Sequence, residues 1–184
     1  MLLLAQLLAI AALIALALAI AIVVRRAARL LAETREIERF QRTISDLATR
    51  IETSLDGVAA RVDGVRRHSV PAQAVVANLE AASDAVARYT EEARTLRGPE
   101  GAIDIRDAIV LELEHAARAL QMVEHGCAIL GAASVGGREL EAQTAIKRGY
   151  LNILHAREAL VRHAARAAEL GGTDRTSFFA RRNA

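Results

Sequence analysis

The opening run constrains this chain most: every residue from 1 to 24 is apolar except Gln6. An α-helix rises 1.5 Å per residue, so the run would be about 36 Å long against a hydrocarbon core of roughly 30 Å. A helix satisfies its own backbone in lipid, and the run therefore predicts a transmembrane helix with some tilt. A cleaved signal peptide is the competing reading. It fits less well, because no basic residue precedes the run, the run exceeds the roughly 7–15 residues of an h-region, and no polar c-region follows. The expectation is a retained anchor over residues 1–24.

Arg25, Arg26, Arg29, Arg35, Arg39 and Arg42 follow this segment closely. Positive charge collects on the cytoplasmic side, which predicts an outside N-terminus and a cytoplasmic C-terminal domain on a single-pass protein of the inner membrane. Lys147 is the one lysine in a chain whose other basic residues are all arginine, a bias read as a GC-rich bacterial genome. Ala11, Ala15 and Ala19 set small residues at four-residue spacing, which would let two anchors approach and makes a homo-oligomer one expected partner state.

No Gly or Pro interrupts residues 25–56, so the anchor is expected to continue as a stalk. Ile37, Phe40, Ile44, Leu47 and Ile51 step by three and four in the manner of a coiled-coil seam. The steps from Leu47 to Ile51 to Leu55 are both fours, a stutter that locally unwinds a supercoil, before Val58, Val62 and Val65 resume the seam. His68, Ser69, Val70 and Pro71 should end this helix, with Pro71 suited to the first turn of the next.

A second stripe runs through Val75, Leu79, Ala82, Val86, Tyr89, Ala93 and Leu96, and stops at Gly98-Pro99. A third runs through Ile109, Leu113, Ala116, Leu120, Val123, Cys127 and Leu130. Gly136-Gly137 separates it from a fourth with Ile146, Tyr150, Ile153, Leu160 and Ala164, interrupted at Arg157. The predicted fold is all-α: an N-terminal transmembrane helix continuing into a stalk and an up-down antiparallel four-helix bundle over residues 25–170, with helices at about 25–67, 72–97, 104–133 and 138–170. Residues 171–184 are expected to form a flexible tail. Asp104, Asp107, Glu112, Glu114 and Glu124 make the third segment acidic, while Arg138, Lys147, Arg148, Arg157, Arg162 and Arg166 make the fourth basic, so these two are suited to be neighbours.

Composition excludes several functions. A formal net charge of +2 is a poor footprint for nucleic acid, and none is expected as a partner. One cysteine, Cys127, rules out an intramolecular disulfide framework and a multi-cysteine metal site. Glu112 and His115 form a Glu-x-x-His, the spacing used in carboxylate-bridged di-iron bundles. Such a site needs a second copy, and His155–Glu158 has the reversed order. Glu112 and His115 are expected beside the seam, facing outward. His125 and His155 should lie opposite their buried stripes and His68 in a loop. No phosphate loop, serine-nucleophile motif or haem-attachment motif occurs. No catalytic, metal or cofactor residue is predicted, and the chain is read as non-enzymatic.

The tail holds the most irregular feature: Phe178 and Phe179 stand together beside Arg175, Arg181 and Arg182 in a chain that is only 3% aromatic. Aromatics flanked by arginines suit adhesion to a protein groove or to an anionic leaflet, and these five residues are the predicted partner or membrane contact. One membrane helix followed by a helical body resembles in outline the b subunits of rotary ATP synthases. That subunit is one long helix, whereas this chain is broken at Pro71, Gly98-Pro99 and Gly136-Gly137, and no residue role carries over. The expected function is a membrane-anchored scaffold recruiting a protein partner beside the lipid bilayer. The alternative is a ligand-binding or sensory bundle, extracytoplasmic if the orientation is reversed, and behind it stands a metal-dependent enzyme using helix-borne His and Glu.

Overall fold

The structure is a computed structural model that describes residues 2–132 and 137–170, with side chains from residue 16 onward apart from position 100. Among the described residues there are four α-helices and no strand: α1 Leu2–Arg66, α2 Val76–Thr95, α3 Ile103–Gly131 and α4 Glu139–Ala168. Short 3-10 turns, Ala72–Val75 and Glu100–Ala102, lead into α2 and α3. Pro71 sits before the first of these turns with extended backbone (φ −68°, ψ 143°), as its ring and missing N–H dictate.

The helices form an antiparallel bundle in which each packs against its neighbours in chain order and α4 closes the ring against α1. Side-chain contacts show the direction of each pair. Along α1 and α2, Arg50 reaches Glu92 while Ser54 reaches Tyr89. Along α1 and α4, Gln41 meets the end of α4, Asp56 pairs with Arg157, and Arg66 lies over Tyr150. Gln41 donates through Nε2 towards the carbonyls of Ala167, Ala168 and Leu170 at 3.1, 3.0 and 2.9 Å. It thereby closes the C-terminal turn of α4, whose last carbonyls have no partner within the helix.

On α1 the buried line is Phe40, Ile44, Leu47, Ile51, Leu55, Val58, Val62 and Val65, which passes through the stutter without a break. On α4 the structure keeps Ile146, Ile153 and Leu160 of the expected stripe in the core and adds small residues to the line. The buried line is Ala142, Ile146, Gly149, Ile153, Ala156, Leu160 and Ala167. Arg157 is therefore no interruption: it lies on the flank and pairs with Asp56 of α1. Tyr150 is half-buried, its ring centroid 5.4 Å from the Arg66 guanidinium carbon.

Only part of α1 belongs to the bundle. Leu16, Leu18, Ile20, Ile22, Val23, Val24, Leu30 and Leu31 are all 56–66% exposed. Among the described residues no helix is long and apolar enough to cross a membrane. The described part of the apolar run, residues 16–24, is soon followed by Arg25, Arg26 and Arg29, while residues 1–15 lie outside the described side chains.

Candidate functional site

The five residues singled out in the tail, Arg175, Phe178, Phe179, Arg181 and Arg182, lie outside the described residues. Within the described bundle, polar side chains converge on a surface groove of about 370 Å³ between α3 and α4. Glu112, His115, Arg118 and Met122 line it from α3, and Asn152, His155 and Ala156 from α4.

Helical spacing explains the α3 wall. Residues three and four apart lie on one face, so Glu112, His115, Arg118 and Met122 form a row beside the buried Leu113, Ala116 and Leu120. The α4 wall follows from its seam: with Ile153 and Ala156 inside, Asn152 and His155 fall at the rim. Backbone proximity holds the two walls together. An added Cβ on Gly149 would stand 2.8 Å from the Ala119 carbonyl oxygen, and one on Gly126 would stand 2.8 Å from that of Ala142.

Glu112 and His115 do not both face outward as expected. The Glu112 side chain is 21% exposed and its Oε2 lies 3.2 Å from His115 Nδ1. A further histidine, His163 of α4, stands half-buried within electrostatic reach of Glu112. Its Nδ1 is buried and finds no hydrogen-bond partner among the described residues. Burial holds the His163 imidazole below the ordinary histidine range, against the smaller opposing effect of Glu112, with Arg166 and Arg162 also disfavouring its cation.

This set can donate and accept hydrogen bonds, present a cation at Arg118 and a carboxylate at Glu112, and offer Met122 as an apolar wall. Among the described residues no group of three or more His, Cys, Asp and Glu side chains is arranged to hold a metal ion. Cys127 is buried in the core, and burial pushes its thiol up, so it supplies little thiolate. His125 is exposed and 3.8 Å from Glu141. No family model, characterised protein or solved structure matches this chain, so the groove is read from its own geometry alone.

Proposed function

We propose that this protein is a membrane-anchored helical scaffold that recruits protein partners at the cytoplasmic face of a bacterial membrane. The observation that carries the reading is the division of α1. One uninterrupted helix from Leu2 to Arg66 enters the bundle only at Phe40, and its large apolar residues from Leu16 to Leu31 are exposed, with no covering partner among the described residues. Water penalises such a surface at roughly 25 cal/mol per Å², and a bilayer removes the penalty. Together with residues 1–15, all apolar but for Gln6, the run is long enough to span. Arg25, Arg26, Arg29, Arg35 and Arg39 are exposed beyond it and favour the cytoplasmic side.

The stretch from Arg25 to Phe40 would hold the bundle about 22 Å from the anchor at helical rise. Phe178 and Phe179, with Arg175, Arg181 and Arg182, are the proposed contact with a protein partner or the leaflet. The α3/α4 groove supports a second reading, a ligand-binding or sensory bundle on the same anchor.

Membrane extraction and topology reporters test the first reading together. The full chain should stay with the membrane through alkaline carbonate washing, and a chain starting at Ala32 should be released. A reporter after Ala184 should be active only as a cytoplasmic type. Release of the full chain by carbonate would overturn the anchor, and periplasmic reporter activity would overturn the orientation.

A further inference from the structure

We infer that the end of the bundle farthest along α1 carries a binding site for a small oxyanion, a carboxylate or a phosphate monoester, bearing a short aliphatic group. The site is a pocket of about 200 Å³ lined by Val65, Arg66, His68, Leu130, Gln143, Ile146 and Lys147. This is below the roughly 300–1,000 Å³ of sites that enclose drug-sized ligands, which limits the occupant to a small molecule.

The lining separates into two kinds of surface. Val65 and Ile146 are buried and Leu130 half-buried, and these three make an apolar floor. Arg66, His68, Gln143 and Lys147 supply N–H donors around the rim, and no carboxylate is among the lining residues. Arg66 donates from Nε and Nη2 to Asp63 at 2.9 and 2.7 Å. A guanidinium carries five N–H groups, so donors remain for a ligand. Asp63 is shared with Arg67 at 2.7 Å and so answers two cations with one charge. Arg66 is further steadied over the Tyr150 ring. Gln143 bonds Glu139 at 3.1 Å, outside the pocket. The positions one turn either side of Lys147 are Gln143, Thr144, Tyr150 and Leu151, none of them acidic.

His68 supplies an independent observation. It has φ of 58°, the sole non-glycine residue with positive φ among the described residues. It stands where α1 ends in a Schellman motif: His68 N–H donates to the Val65 carbonyl at 3.0 Å and Ser69 N–H to the Gly64 carbonyl at 2.9 Å. This position ordinarily takes Gly, which adopts the left-handed conformation without a Cβ penalty. A histidine there is disfavoured by the fold and places an imidazole at the lip of a cationic pocket. Residues at such strained positions cluster at ligand sites.

The inference does not depend on the anchor. The test titrates the full chain, in a non-ionic detergent, with butyl phosphate, butyrate and inorganic phosphate, followed by backbone amide shifts. Saturable binding of butyl phosphate or butyrate, with shifts gathered at residues 65–68, 130 and 143–147, is expected; whichever binds tighter identifies the headgroup. Inorganic phosphate should bind more weakly, because it leaves the floor uncovered. Lys147→Met removes an exposed cation without touching the core and should weaken binding at least about tenfold, the loss of one charge-assisted hydrogen bond. His68→Gly should melt at higher temperature yet bind more weakly, a split that a purely structural role would not produce. Absence of saturable binding with all three probes, or unchanged affinity in Lys147→Met, would overturn the inference.

Discussion

The α3/α4 and α1/α2 contacts are both antiparallel, yet they are built on different principles. Between α3 and α4 the backbones nearly touch. A Cβ on Gly149 would meet Val123 Cγ2 at 2.5 Å and the Ala119 carbonyl at 2.8 Å, and one on Gly126 would meet Ile146 Cγ1 at 2.7 Å. Between α1 and α2 the side chains hold the helices apart. Arg50 grips Glu92 at 3.1 Å, Ser54 and Tyr89 are 3.1 Å apart, and a groove of about 270 Å³ runs beside them past Gly57, Asn78 and Ala82. Half-exposed ion pairs of the Arg50–Glu92 kind contribute about 1 kcal/mol or less and weaken with salt. Close packing between backbones is not screened and cannot be exchanged for another side chain. The bundle thus has one seam that tolerates little change and one that tolerates much.

The sharpest way to break this comparison is to make the same substitution on both seams. Gly149→Ala gains roughly 1 kcal/mol of helix propensity but forces α3 and α4 apart, because the atoms it meets include main-chain O and N that cannot rotate away. We expect a net loss of about 2 kcal/mol, read as a lower urea midpoint at unchanged slope. A neutral result would show that the seam is looser than the geometry requires.

Gly57→Ala should act in the opposite direction and more weakly. Nothing lies within 4 Å of the added Cβ, and the position is helical, so a gain of about 0.5–1 kcal/mol is expected from propensity alone. Destabilisation by this change would mean that the α1/α2 groove closes in solution.

The smallest effect concerns a histidine of α4 beside the tight seam. His163 is held below the ordinary histidine range, chiefly by burial, so protons favour the unfolded chain, where the imidazole has a pKa of about 6.5. Its contribution is fully present above that pH and is lost as pH falls through 6.5 toward the folded value. Melting temperature should decline over that interval, and His163→Leu should flatten the decline. An equal decline in the variant would assign it to groups other than His163.

Much of this architecture was readable from local pattern. The spacing predicts a line from Ile37 to Val65, and all of it from Phe40 onward is buried, with Ile37 half-buried where α1 leaves the bundle, since large aliphatics at three- and four-residue steps share one face. On α4 the expected Ile146, Ile153 and Leu160 are buried and Tyr150 and Ala164 pack half-buried against the core, while Ala142, Gly149 and Ala156, which the spacing of large apolar residues does not select, complete the buried line. Small residues become buried because a neighbouring backbone approaches them, and no hydrophobicity pattern registers that. Thr90 escaped notice for a related reason: it is buried, but its hydroxyl donates to the Val86 carbonyl at 2.8 Å and is satisfied within its own helix. Gln41 had no local signal at all, because its acceptors lie at the other end of the bundle sequence.

By itself, then, the sequence determined the helices, the breaks between them and the amphipathic face of α1, because propensity and periodicity act over a few turns of one segment. Tertiary structure alone decided where α3 and α4 touch, which histidines share a groove, and that His68 at the end of α1 stands beside Lys147 of α4. Those outcomes depend on distances between residues far apart in the chain, and such distances exist only once the seams have closed.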